Sequence, residues 1–362
     1  MTEQAAQFSQ TELERVLKHY AIGPVEEAAP LTGGSSHSPK LIITTSRGKF
    51  LLKRRMDNDP ARVKLAHALQ RRLRRKHFPV SRVIKTKLDA DGQKSETALR
   101  IGKQLYELFY YVEGTRYDGS KEQTQESGRR LALFHQWVKP IQFTKKSVST
   151  AFHNSRRVRT DLAAMGRNPS GSEKVAFERV ADRLAGLYNE ASTQVNELGF
   201  DTWPQQLVHG DWHPGNMLFA DDALKALLDF DSLHMASPQV DLANGLLQFS
   251  IIAGNPNLAR WPARFDQVRL SHFMKGYCQI VRPNKAQLES LPDLMTETLI
   301  AEAVSPIAAT SHFGPFCGLE FMKMVDRKAT WLANHRDDLS KLFKNAAKLT
   351  LATKRDGLRA AV

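Results

Sequence analysis

The chain has 362 residues, 41% of them apolar and 25% charged, which suits a folded protein of two lobes or domains and argues against wholesale disorder. Lys plus Arg is 52 against 38 for Asp plus Glu, a formal +14 that favours anionic partners such as nucleotides or phosphorylated metabolites. No apolar run approaches the ~20 residues of a membrane helix, the start MTEQAAQFSQ lacks the form of a secretory signal, and two cysteines without CxxC spacing argue against a disulfide framework or a cysteine zinc site. A reduced, cytoplasmic protein with no membrane partner is expected.

Ser9 and Glu12 form an S-x-x-E capping box, with Phe8 and Leu13 as its hydrophobic staple. They open a helix carried by Leu13, Val16, Leu17 and Tyr20 and ended by Gly23-Pro24. A glycine and serine turn over 31–37 leads into strand-like runs at 40–45 and 49–53, joined by Ser46-Arg47-Gly48 as a hairpin. A helix over 61–76, closed by Pro79, and strands over 80–88 and 99–112 complete a small lobe dominated by an antiparallel sheet. Beyond Gly114 the periodicity is helical: 122–137 has Leu131, Leu133, Phe134 and Trp137 on spacings that suit a buried face, 175–198 is a candidate long amphipathic helix, and helices resume at about 241. Between them, 206–231 reads as strand, turn and strand; 168–171 and 254–256 read as loops.

The chemistry concentrates in Leu207-Val-His-Gly-Asp211-Trp-His-Pro-Gly-Asn216 and in Ala226-Leu-Leu-Asp229-Phe-Asp231. An apolar strand delivers a carboxylate into a turn, an amide follows five residues later, and a second apolar strand ends in another carboxylate. Phosphoryl transfer needs such a set: one carboxylate to orient and deprotonate a hydroxyl, and an amide oxygen with a second carboxylate to hold magnesium against a triphosphate. The D-x-x-x-x-N spacing equals that of the kinase catalytic loop. His209 and His213 are four apart, but Gly210, Pro214 and Gly215 argue against the helix that a paired-histidine zinc site would need.

These motifs resemble those of the aminoglycoside phosphotransferase-like kinases, a family that includes homoserine kinase of the second type, choline kinase, methylthioribose kinase and spore-coat-associated kinase-like proteins. The pattern H-G-D-x-H-x-x-N is met by His209, Gly210, Asp211, His213 and Asn216, and D-F-[DEG] by Asp229-Phe230-Asp231. The resemblance implies an α+β, bilobal protein-kinase-like fold, with a nucleotide lobe at 1–113 and a helical, acceptor-binding lobe at 114–362. It implies ATP and Mg2+ as cofactors, Asp211 as catalytic base, and Asn216 and Asp229 as magnesium ligands. By the same resemblance Gly33, Gly34, Ser35 and Ser36 form a phosphate-facing loop, and Lys53 pairs the α and β phosphates, with Arg54 and Arg55 as neighbouring candidates. Tyr110 and Val112 would present adenine-binding main chain, Leu131-Ala-Leu-Phe-His135 would supply a structural histidine, and Asp241 in Pro238-Gln-Val-Asp-Leu-Ala would brace the catalytic loop.

One departure stands out. In kinases the strand lysine pairs with a helix glutamate, yet 61–77 contains no acid; its charges are Arg62, Lys64, Arg71, Arg72, Arg74, Arg75 and Lys76, and His67 stands where an acid is expected. That basic run reads first as a solvated face. It lacks the aromatic interleaving of a strand-stacking surface, which argues against nucleic acid as the primary partner. The expected partner is a small molecule bearing a hydroxyl; homoserine-like, sugar-like and choline-like acceptors stay open. A nucleotide-binding pseudokinase or scaffold, or a protein Ser/Thr kinase of the same fold, is the alternative.

Overall fold

The structure, a computed structural model, describes residues 8–31, 38–55, 59–88, 95–141, 152–165 and 172–359. The expected phosphate-facing loop, Gly33, Gly34, Ser35 and Ser36, and the expected loop at 168–171 lie outside them. In chain order the elements begin α1 (Gln10–Leu17), β1 (Val25–Pro30), β2 (Lys40–Thr45), β3 (Gly48–Arg55), α2 (Pro60–Arg75), β4 (Val83–Ile84), β5 (Leu99–Ile101) and β6 (Gln104–Tyr110). They continue with α3 (Lys121–Val138), α4 (Arg156–Ala164), α5 (Ser172–Glu197), β7 (Gln206–Val208), β8 (Met217–Ala220), β9 (Ala223–Leu227), β10 (His234–Ala236) and α6 (Pro238–Ser250). The last are α7 (Gln267–Cys278), α8 (Lys285–Thr310), β11 (His312–Phe313), β12 (Phe316–Cys317), α9 (Gly318–Asn334) and α10 (Arg336–Arg359). They form two compact units, 1–116 with 215–231, and 117–214 with 232–362. Where a single division after residue 113 is expected, the contacts return 215–231, the β8–β9 hairpin and the Asp229 turn, to the first unit.

In the first unit the sheet runs β1-β2-β3-β6-β4, with β5 also on β6, all antiparallel. Strand side chains alternate between faces, and here the two faces differ in kind. Ile43, Phe50, Leu52, Tyr106 and Leu108 share a buried cluster with Phe8, Val16 and Tyr20 from in and around α1. Lys53, Arg55 and Glu107, also buried, occupy the other face. The α1 cap forms by half: the Ser9 hydroxyl accepts the Glu12 amide at 3.1 Å, while the Glu12 carboxylate takes Arg54 at 2.8 Å and the Tyr106 hydroxyl at 2.7 Å. A tertiary ion pair has displaced the reciprocal arm of the capping box.

Three strands differ from expectation. The run over 99–112 turns at Gly102, φ 60°, into the antiparallel pair β5 and β6, and the strand ends at Tyr110. Of 80–88 only Val83–Ile84 pairs with β6; beyond it the Thr86 and Lys87 amides donate to the Glu96 and His19 carbonyls instead, and Leu88 is exposed. β1 was not foreseen, since Val-Glu-Glu-Ala-Ala-Pro carries a weak strand signal; pairing with β2 at the sheet edge imposes it, and an edge tolerates Pro30.

The second unit is helical. Its α3–α7 pair depends on two glycines: a Cβ at Gly128 would lie 2.0 Å from the Phe273 carbonyl oxygen, and one at Gly276 would lie 1.9 Å from that of Gln125. Gly186, exposed within α5, has nothing within 4 Å. Gly276→Ala should therefore separate the two helices and lower stability by about 2–3 kcal/mol. Gly186→Ala should raise it by about 0.5–1 kcal/mol. Denaturant titration of the two variants reads both signs; equal effects would mean that α3 and α7 do not pack through these glycines.

Candidate active site

The ionic face of the first unit is organised by strand register. Lys53 on β3 stands opposite Glu107 on β6, and Arg55, two residues on, shares that face. The Arg55 Nη1 donates to Glu107 Oε2 at 3.1 Å and to Asp231 Oδ1 at 2.6 Å. The Lys53 Nζ donates to Asp231 Oδ2 at 2.6 Å and reaches Asp229 Oδ1 at 3.4 Å. From α2 the His67 Nε2 meets the second Glu107 oxygen at 2.6 Å. Arg54 points to the opposite face, toward Glu12, so the register singles out Lys53 among the three neighbouring cations.

Burial opposes the charges here, and for Glu107, Asp231 and Lys53 the pairing outweighs it. Desolvation alone would raise the Glu107 carboxyl; the His67 hydrogen bond and the charges of Lys53 and Arg55 bring it below the ordinary range. Desolvation would likewise raise Asp231, but Lys53 and Arg55 bring it down to about 2. Lys53 stays firmly protonated, since three carboxylates outweigh its desolvation. Lys40, the β2 partner of Lys53, lies 4.0 Å from Asp229, and burial lowers its pKa.

Asp229 has a left-handed backbone, φ 52°, rare for a residue with a side chain. Its carboxylate accepts the Asp231 amide at 3.3 Å. One residue earlier, the Leu228 amide donates to the Asn216 carbonyl at 2.8 Å, which ties the start of β8 to the Asp229 turn. Asn216 is buried. Lys53, Asn216 and Asp229 thus belong to one connected region. At the end of β6 the Tyr110 amide already donates to Arg82, and Val112 follows the strand half-buried.

Asp211 lies in the second unit, on a loop with a defined anchor. The fully buried Asp241 accepts the amides of His209 at 2.6 Å and Gly210 at 2.8 Å, and His135 Nε2 contacts it at 3.2 Å. Burial would raise the Asp241 carboxyl, but His135 and these bonds hold it below its usual value. His135 in turn meets the Tyr277 hydroxyl at 2.9 Å. Gly210 has φ +77°, and a Cβ there would lie 2.4 Å from the Ser232 carbonyl oxygen. Asp211 itself is partly exposed, with His213 Nε2 3.5 Å away.

A further carboxylate in this unit escaped the sequence reading. Glu302 on α8 accepts Asn244 Nδ2 at 2.7 Å and Gln248 Nε2 at 2.5 Å, side chains one turn apart on α6. Its pKa is raised to about 7, first by burial and then by the charge of Asp211, against the pull of His213 and the two amides. The buried Asn244 Oδ1 has no hydrogen-bond partner. Between the ordinary glutamate range and about pH 7 the folded chain holds a proton that the unfolded chain releases, so stability falls as pH rises through that window. The Tm advantage of Glu302→Gln over wild type should therefore be larger at pH 8 than at pH 5; a pH-independent difference would mean that Glu302 is ionised throughout.

Among the described residues no three His, Cys, Asp or Glu side chains are grouped to hold a metal by themselves, and no helix is long and apolar enough to cross a membrane. The oxygens of Asn216 and Asp229 are hard donors of the kind magnesium takes when phosphate completes its shell, so this donor set fits the ion that the motifs imply.

Comparison with known proteins agrees with this architecture. The chain is 27% identical over 233 residues to a homoserine kinase of Sinorhizobium medicae (62% of this chain, 63% of that one), and 27% identical over 205 residues to a homoserine kinase of Zymomonas mobilis (55% and 58%). The matches thus span about 60% of the curated relatives' length. Among solved structures, an amicoumacin kinase in complex with AMP-PNP and Ca2+ superposes with a TM-score of 0.62 at 16% identity, covering 93% of this chain and 95% of that one; the likeness shows the protein-kinase-like fold, a small antiparallel-sheet unit with a larger helical one. The model of the phosphotransferase enzyme family, APH, matches residues 27–287, and the chain belongs to that family.

Proposed function

We propose that the chain is an ATP-dependent kinase that transfers the γ-phosphate to a hydroxyl of a small molecule. Lys53 would pair with the α and β phosphates, Asn216 and Asp229 would hold magnesium, and Asp211 would orient the acceptor hydroxyl and take its proton. When bound, magnesium supplies charge neutralisation at the phosphates. The observation that carries the reading is the Lys53 ammonium, buried and held between Asp229 and Asp231. A buried lysine beside two carboxylates that themselves remain partly exposed suits a site whose other occupant is a phosphate–metal pair. Val112, beyond the last strand residue, and the Gly33–Ser36 segment remain the candidates for adenine and phosphate contacts.

The acceptor is best read as an amino alcohol. Glu302 and Asp211 are two acidic groups of one unit whose charges act on each other, and the Asn244 Oδ1 beside Glu302 has no hydrogen-bond partner, a setting that suits an ammonium group. The curated relatives, homoserine kinases, point the same way. Glu302 would hold the amine while Asp211 addresses the hydroxyl.

Asp211→Asn should reduce phosphate transfer by about a thousandfold or more, with binding of a fluorescent ATP analogue close to wild type. A wild-type rate in that variant would remove Asp211 from the mechanism. Across a panel of homoserine, 1-amino-2-propanol, ethanolamine and the matching diols, the amino alcohols should show the lower KM. Glu302→Gln should erase that preference. A preference for the diols, or an amine preference that survives in Glu302→Gln, would refute the acceptor assignment; magnesium-dependent ATP turnover with none of the panel would refute it as well.

A further inference from the structure

The helix that packs under the sheet carries no acid, so the partner by which kinases hold their strand lysine must be sought elsewhere. Among the described residues the charged groups facing Lys53 across the ionic face are Lys40 on β2, Arg55 on β3, Glu107 on β6, His67 on α2, and Asp229 and Asp231 in the turn after β9. They form one continuous chain. His67 meets one oxygen of Glu107, the other oxygen accepts Arg55, Arg55 reaches one oxygen of Asp231, and the other oxygen of Asp231 accepts Lys53. Glu107 and Arg55 are nearly inaccessible, 3% and 2% exposed. Neither is placed to touch a ligand.

We propose that Glu107 and Arg55 are positioning residues for nucleotide binding: Glu107 supplies from the sheet the carboxylate that kinases supply from the helix, and Arg55 transmits its position to Asp231 and Lys53. His67 is the helix's remaining contribution. It donates Nε2–H to a carboxylate, which can only accept, while its Nδ1 is buried without a hydrogen-bond partner. The helix thus clamps the acid instead of providing it. Arg55 suits the relay because a guanidinium offers several donors in one rigid plane, whereas an ammonium acts as a point charge. When phosphate draws Lys53 away from Asp231, Arg55 still holds that carboxylate, so the turn bearing Asp229 keeps its place as the lysine changes partner.

The inference rests on the reading of Lys53 as a phosphate-binding residue, and its test separates the two. Binding of a fluorescent ATP analogue is titrated with magnesium present and no acceptor, for wild type, Glu107→Gln, Arg55→Lys and the double variant His67→Glu/Glu107→Gln, beside the KM for ATP and for the acceptor. Glu107→Gln should weaken nucleotide binding by about tenfold or more and raise the KM for ATP while leaving that for the acceptor near wild type. Arg55→Lys, which keeps the charge and loses the fork, should show the same split more weakly. Returning the carboxylate to the helix in the double variant should recover most of the lost affinity.

A folded Glu107→Gln with wild-type nucleotide affinity would overturn the proposal. So would a double variant of wild-type stability that recovers nothing. If Glu107→Gln fails to fold, the decision passes to Arg55→Lys, where unchanged affinity overturns the proposal and a selective loss for ATP supports it. Wild-type protein that binds no nucleotide would instead strike the kinase reading itself, and this proposal with it.

Discussion

The antiparallel pairing of β3 with β6 places Lys53 opposite Glu107 and, through the alternation of side chains, gives the first unit two unlike faces. One face is apolar and is covered by α1. The other is ionic and is met by α2 and by the turn that bears Asp229 and Asp231. A slip of one residue in this pairing would carry Lys53 and Arg55 to the apolar face and Phe50 and Leu52 to the ionic one, so the two environments enforce the register between them. Burial of the ionic groups is tolerated because each has a partner: a lone charge in that position would be strongly disfavoured, while the connected set holds its carboxylates ionised and its lysine protonated.

The second unit solves a related problem with one residue. Asp241, at the first turn of α6, receives two consecutive backbone amides from the loop leading to Asp211. Two amides, a histidine and the start of a helix are what a buried carboxylate needs to remain charged. The loop geometry that results is one only glycine can follow at position 210. The position of Asp211 therefore depends on a carboxylate thirty residues later in the chain that touches nothing reactive.

The parts of this arrangement legible in the sequence are those whose signal is local. The hairpin over 40–53, the helices at 61–76, 122–137 and 175–198, and the ordered motifs around Asp211, Asn216 and Asp229 each lie within a short window, and the family match and the fold agree with them. Contacts between distant segments were not legible. The capping box at Ser9 looked complete because its residues are present, yet Glu12 is drawn off by Arg54 and Tyr106. The absent helix acid was plain, but the carboxylate that His67 meets lies on a strand 40 positions later. Glu302 had no local mark at all, because its significance depends on Asn244 and Gln248 from another helix. Nor did Gly128 and Gly276 announce themselves as a helix contact; each reads alone as a weak point in a helix.

The ionic face also sets a condition on whatever settles there. Lys40, Lys53 and Arg55 are matched one for one by Glu107, Asp229 and Asp231, so the surface is close to electroneutral before anything arrives. Despite the large cationic excess of the chain as a whole, the described residues of this spot carry no surplus with which to attract a polyanion. A ligand carrying several negative charges would have to bring its own counter-ions, and its retention would follow the supply of divalent cation more closely than the net charge of the protein.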